Sequence, residues 1–278
     1  MSIFKVSTVQ LDYTRIERDL LGAKEVPAAC YYGIHTLRAL ENFQISNQKV
    51  GTHPHFIRAL AQVKKASAQT NLKFTKISEQ VSQAIQFACN ELIEFPEQWS
   101  TAFPLDVYQG GAGTSINMNS NEVLANIALE HLGFQKGQYE HIHPNDHVNK
   151  SQSTNDVYPT ALRLATYYSL DDLLIQIQKL IDTLHIKVAE FQFVLKMGRT
   201  QLQDAVPMTL GQEFRAFATL LKEDIRLIQR TRELLLEVNL GATAIGTGIN
   251  TPKGYAYEAV QALNKINELI EIIPSEEL

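Results

Sequence analysis

The sequence predicts a mainly α-helical protein: a small mixed and partly helical N-terminal domain, followed by a bundle of long helices. Apolar or small residues recur at steps of three and four through Leu162, Ala165, Ser169, Leu173, Ile177, Leu180, Leu184, Val188 and Phe191, with no Gly or Pro between them. A second such run passes through Phe214, Phe217, Leu221, Ile228, Leu235 and Val238. Before about residue 55 the texture is different, with Gly22, Pro27, Gly33 and Gly51 as punctuation.

That punctuation predicts short strands or loops at the start of the chain. Helical spacing begins at Phe56, Leu60, Val63 and Ser67 and resumes at Val81, Ile85, Ala88 and Leu92, until Pro96 and Pro104 close the region. The next helix is expected between Gly113 and Gly133, and residues 133–152 read as a polar connection. A boundary near Lys150 gives domains 1–150 and 151–278. Pro159 is acceptable in the first turn of the helix that follows, and Thr209 to Leu240 forms the second long helix. At the standard rise each would be about 45–50 Å long. Helices of that length imply an elongated bundle shared between subunits.

A chain of 278 residues with 45% hydrophobic and 20% charged content can bury a sizeable core in one or two domains. Its net charge of −5 and dispersed Lys and Arg give no basic footprint for nucleic acid. Cys30 and Cys89 lack CxxC spacing and suit a reducing compartment. The start, MSIFKVSTVQLDY, has no apolar signal core, and no run approaches the roughly 20 apolar residues of a membrane span. The expected location is cytoplasmic, with neither membrane nor nucleic acid as partner.

Three polar segments lie at expected helix starts. In Gln109–Glu122 the glycines allow close backbone approach, and the amides of the following helix favour an anion. No GxGxxG completes there and no Gly-Lys-Ser/Thr follows, so neither a dinucleotide fingerprint nor a P-loop fits. A simple helix cap by Thr114 or Ser115 explains the segment equally well. The second segment, His143–Asp156, holds Ser153, Thr154 and Asn155. Capping needs one hydroxyl and several polar side chains converge here, which favours a ligand site. His141, His143 and His147 have no Cys beside them and read as a surface loop, so no metal site is expected. In the third, Gly198–Glu213, Pro207 and Thr209 read as a turn and an N-cap, and Arg199 and Asp204 as a structural ion pair. Thr200 and Gln201 have no capping duty, which makes them site candidates.

Four stretches, GGAGTSINMNSNEVLANIALE, HPNDHVNKSQSTND, GRTQLQDAVPMTLGQEFRAFA and LLLEVNLGATAIGTGIN, resemble the aspartase/fumarase superfamily, and the match runs from about Arg15 to the C-terminus. The early stretch DLLGAKEVPAACYYGIHTLRALENF, and Gln201 where fumarases of this class usually carry His, are most similar to its ammonia-lyase branch. The resemblance implies that Thr114, Ser153, Thr154, Asn155 and Thr200 contact the substrate, with Gln201 as a neighbour. It implies reversible anti elimination of ammonia from L-aspartate to fumarate through an aci-carboxylate, whose extra charge neutral donors at helix starts stabilise. No redox or carbonyl cofactor is implied, but activation by Mg²⁺ is, as is a homotetramer in which each site gathers segments from three subunits. His143, Asn145 and Asp146 match a loop that fumarases use as a secondary anion site; a structural turn accounts for them equally well.

The superfamily's loop GSSxMPxKxNP, which supplies the serine general base and a carboxylate-binding lysine, is not found between Met1 and Leu278. No catalytic residue is therefore assigned, and the chain on its own is expected to be inactive, losing the roughly 10²–10⁴ of a positioned base. The resemblance also implies that the long-helix bundle is incomplete, so that the apolar stripes through Leu173, Ile177, Leu221 and Leu235 would lack partners. Two other functions fit the resemblance. One is a class II fumarate hydratase, against which Gln201 stands; the other is a non-catalytic helical fragment that associates with a full-length homologue.

Overall fold

The first described element is a hairpin that buries charge instead of aliphatic side chains. In the computed structural model, which describes residues 13–267 and 271–275, β1 (Thr14–Asp19) pairs antiparallel with β2 (Gly22–Pro27). Strand alternation turns Ile16 outward and Glu17 inward. The Arg15 guanidinium bonds the Glu17 carboxylate at 2.8 Å and donates to the carbonyls of Pro27, Ala28, Cys30 and Tyr32. A strand that reads TRIERD shows no apolar alternation, so the sequence left strand and loop undecided here.

The helix α1 (Ile34–Asn42) has no cap from its own N-terminal neighbour Gly33. Its first amides are taken by carboxylates from elsewhere. Glu122 accepts from the backbone of Gly33, His35 and Thr36 at 2.7–3.1 Å, and Glu17 from Ile34 at 2.7 Å. Burial pushes the Glu122 carboxyl up to about 7, against the opposing pull of these bonds.

The helices α2 (Pro54–Lys73), α3 (Glu79–Glu94), α4 (Thr114–His131) and α7 (Tyr255–Asn267) build the core, with α2 packed on both α3 and α7. Pro54 opens α2 at a position where its missing N–H costs nothing, and Ser78 caps α3 by accepting from Val81. Leu60, Ile85, Trp99, Phe103, Leu124 and Leu263 are fully enclosed. The helix α4 is buried on every side from Ile116 to Leu129, including Asn117, Asn119, Ser120 and Asn121.

The helix α5 (Thr154–Glu190) has 37 residues, so it is about 55 Å long. It begins one turn earlier than expected, which puts Pro159 inside the helix and not in its first turn. Pro159 has no N–H to give to the carbonyl of Asn155. Asn239 Nδ2 supplies the missing bond at 3.1 Å, and that substitution lets the helix pass through the proline. The helix α6 (Leu210–Glu233) starts at a capping box between Thr209 and Gln212. It stops at Glu233, short of the expected Leu240, because Glu237–Val238 (β5) leaves to pair in parallel with Ile273–Pro274 (β6).

Between α5 and α6 lies a hairpin that the sequence did not announce. Here β3 (Leu195–Thr200) and β4 (Gln203–Thr209) are antiparallel, with Gln201 and Leu202 at its turn, both left-handed at φ 48° and 64°. Pro207 therefore sits in a strand, opposite Met197, and not in the expected turn. Hairpin turns of this kind favour Asn-Gly, and Gln-Leu carries no such signal. Arg199 and Asp204 do face each other across it, at 3.7 Å.

Contacts divide the chain into two units, one comprising residues up to Thr166 with those from Leu236 onward, the other Tyr167–Leu235. The expected boundary at Lys150 falls inside the first. In the second, Phe191 meets Phe214 edge-on at 5.4 Å, and Arg232 pairs with Asp171 and lies over the Tyr167 ring. The distal part of α5 and α6 thus run antiparallel, and leave Leu173, Ile175, Leu180, Ile186, Phe217 and Leu227 exposed. None of the described helices is long and apolar enough to cross a membrane.

Replacing Asn239 by Ala orphans the Asn155 carbonyl, and urea unfolding is expected to show a loss of about 1–2 kcal/mol. The loss shrinks in a Pro159→Ala background, where residue 159 regains its own N–H.

Candidate active site

Two helix starts meet in the first unit. At α4 the cap is Gly113, left-handed at φ 88°, and a Cβ there would lie 2.2 Å from the Tyr158 ring. Glycine is required both by conformation and by the close approach of α5. The capping role expected of Thr114 or Ser115 is therefore not theirs; Gln109 Oε1 accepts from Ile116 N at 3.1 Å instead. Thr114 keeps an exposed hydroxyl with no capping duty.

At α5 the duties of Ser153, Thr154 and Asn155 separate. Ser153 Oγ accepts from Asn155 N at 3.2 Å, and Asp156 Oδ1 accepts from Ser153 N at 2.9 Å, so the two side chains cap the helix start from both sides. One hydroxyl suffices for the cap. Thr154 Oγ1 accepts at 3.1 Å from Asn117 Nδ2 of α4, and Asn155 Nδ2 donates to the Ala244 carbonyl at 2.7 Å.

Beneath this start lie two buried groups of opposite charge. Asp156 is fully enclosed, and its Oδ2 accepts from Gly241 N and Thr243 N, both at 3.0 Å. Burial pushes its carboxyl up, opposed by those backbone bonds and by Lys64. Lys64, also fully enclosed, donates to Asn149 Oδ1 and Gln152 Oε1, each at 2.9 Å. Burial draws its pKa down to about 7, against the pull of Asp156 and Cys89.

A cavity of about 790 Å³ opens beside the site, lined among others by Ser153, Asn149, Lys150, Lys76, Thr243 and Asn250. Ser151, Thr243 and Asn250 around it are non-glycine residues with left-handed backbone, at φ 58°, 59° and 69°. Strain of this kind gathers where surrounding structure over-determines a loop.

The three histidines of the preceding loop all have local work. His143 Nδ1 accepts from the backbone of Asn145 and Asp146 at 3.1 and 3.2 Å, His147 Nδ1 accepts from His143 N at 2.8 Å, and His141 stacks on Phe134. Burial pulls the His147 pKa down. His143, Asn145 and Asp146 form the edge of a second cavity of about 890 Å³, together with Arg18 and His35. Among the described residues, no group of three His, Cys, Asp or Glu could hold a metal ion.

Thr114, Ser153, Thr154 and Asn155 thus belong to one unit, while Thr200 and Gln201 stand exposed on the hairpin of the other. Sequence reasoning overlooked Asn117, Asn149, Lys64 and Asp156. A signal for two of them was present: Lys64 occupies the apolar stripe of Leu60 and Ala68, and Asn117 begins a polar run inside an otherwise apolar helix.

A family model described as "Lyase" matches residues 22–276. The chain belongs to that family. It is 59% identical over 264 residues to an aspartate ammonia-lyase from Escherichia coli (strain K12), covering 95% of this chain and 55% of the relative. The aspartate ammonia-lyase of Corynebacterium glutamicum is 52% identical over 263 residues, covering 95% and 50%. Among solved structures, a fumarate lyase:delta crystallin from Brucella melitensis bound to cobalt superposes with a TM-score of 0.90 at 50% identity, covering 96% of this chain and 57% of that one. A class II fumarase from Schistosoma mansoni gives 0.84 at 35% identity, covering 95% and 58%. The chain spans about half the length of the curated relatives it matches.

The unfolded chain keeps the Lys64 proton up to about 10.5, whereas the folded one releases it near 7. In that window the unfolded state binds more protons, so stability rises with pH, by at most about 1.4 kcal/mol per unit from this group. Denaturant unfolding across that range is expected to show the rise in the natural sequence and a flatter profile in Lys64→Met.

Proposed function

We propose that this chain supplies the dicarboxylate-binding part of an aspartate ammonia-lyase, which converts L-aspartate reversibly to fumarate and ammonia. The observation that carries this reading is the division of labour at the start of α5. Ser153 Oγ takes the Asn155 amide as the cap, so the hydroxyl proton of Thr154, at the start of a 37-residue helix, remains for an anion. The sequence relationship to aspartate ammonia-lyases supports the choice of substrate.

In the proposed reaction a base removes a proton from Cβ of aspartate, and the electron pair moves into the attached carboxylate as an aci-carboxylate. The pair then returns to form the Cα–Cβ double bond. The C–N bond breaks, and nitrogen leaves as ammonia with the bonding electrons. Ser153, Thr154 and Asn155 face the carboxylate that gains charge, where preorganised neutral donors act most strongly in the transition state. Thr114 and, from a neighbouring copy, Thr200 with Gln201 complete the grip.

His143, Asn145 and Asp146 are a candidate secondary anion site on this reading. The base belongs to a segment of the form GSSxMPxKxNP, which does not occur in residues 1–278. The exposed apolar faces around Leu173, Ile186 and Leu227 support assembly into a homotetramer, and a cytoplasmic location goes with the same reading. Activation by Mg²⁺ belongs to the same reading, and turnover measured with and without the ion tests it.

Co-producing this chain with the remaining segment of a full-length relative, and supplying aspartate and malate in parallel, tests the proposal. Fumarate and ammonia are expected from aspartate, and neither product from the chain alone. Dehydration of malate without deamination of aspartate would falsify the assignment.

A further inference from the structure

A threonine hydroxyl has a single proton, and which way it points decides whether it can serve an anion. At Thr154 that choice is made three residues deep. Lys64 is enclosed in the core, and as an ammonium its nitrogen has hydrogens and no lone pair, so the group of Asn149 facing it is the oxygen. Asn149 Oδ1 in turn requires a donor from Asn117, whose Nδ2 lies 3.2 Å away. The same Nδ2 lies 3.1 Å from Thr154 Oγ1. Asn117 is 1% exposed, and its Oδ1 has no partner, so no bond of its own oxygen fixes the amide's orientation.

We propose that Asn117 is a positioning residue. Oriented by Lys64 through Asn149, it donates to Thr154 Oγ1 and leaves the threonine's own proton to point at the substrate carboxylate. Reversed, the amide would place an acceptor against Thr154, turn the hydroxyl proton inward and present lone pairs to the anion. Gln152 Oε1, which also accepts from Lys64, holds the adjoining loop in the same polarity, with its Nε2 donating to the carbonyls of Val148 and Lys150.

This inference rests on the reading of Thr154 as a substrate contact. The test is a double-mutant cycle on fumarate binding by the chain, measured calorimetrically for the natural sequence, Asn117→Asp, Thr154→Val and the double variant, with thermal melting as the check on folding. Asn117→Asp is nearly isosteric and exchanges donor for acceptor. It is expected to weaken fumarate binding about ten- to hundredfold, the worth of a hydrogen bond to a charged group. The new carboxylate repels the anion in either background, so the difference is what reports on the proton: in Thr154→Val, where there is no proton to redirect, the same change is expected to cost about tenfold less. A merely structural role for Asn117 would give equal losses in both backgrounds and so overturn the inference, as would unchanged binding by Asn117→Asp. If Asn117→Asp does not fold, Asn117→Ala serves in the same cycle, with a smaller loss expected and the same dependence on Thr154. Failure of the natural chain to bind fumarate would overturn the proposed function, and this inference with it.

Discussion

The start of α5 depends on one buried carboxylate. A helix leaves its first amides unpaired, and a 37-residue helix that begins inside the protein needs those groups satisfied or directed at a ligand. Asp156 meets that need on two sides at once. One oxygen accepts from Ser153 N at the cap, and the other holds Gly241 and Thr243 of the loop that also carries Asn239. Asn239 then repairs the hydrogen bond that Pro159 cannot make. Cap, proline and loop are therefore one arrangement, and the hydroxyls of Ser153 and Thr154 have fixed positions because of it.

A buried carboxylate is costly unless it is bonded and balanced. Here the balance is Lys64, which is equally enclosed and directed at the loop preceding the helix. Neither group is exposed to substrate; each shapes the segment that is. The helix α4, buried on every side, carries Asn117, Asn119, Ser120 and Asn121 in its interior, and Asn117 is the one that joins this arrangement. Two of these bond outward to neighbours, Asn119 to the Ala102 carbonyl and Asn117 to Thr154.

Much of this was legible in the residues. The apolar spacing of Phe56, Leu60 and Val63 and of Ile85, Ala88 and Leu92 located α2 and α3, because burial of one face sets that period. The Ser153-Thr154-Asn155 cluster was placed correctly at a helix start. Its internal division, one residue capping and one free to bind, depends on Asn117 and Asp156 and could not be read from local order. The β3–β4 hairpin was missed because Gln201 and Leu202 adopt a left-handed turn against their preference. The end of α6 was missed because a tertiary pairing with Ile273 overrides helical spacing that continues to Val238. Thr114 was read equally as a cap or a ligand, and the cap proved to be Gly113 with Gln109.

The central claim is that the buried Lys64 and Asp156 hold the first turn of α5 ready for a dicarboxylate. Backbone amide chemical shifts recorded during a fumarate titration test it most directly, because they report ligand contact residue by residue. The account predicts saturable shifts concentrated at Ser153 to Asp156 and at Thr114. Saturable shifts confined to other parts of the chain, with the first turn of α5 unmoved, would contradict it.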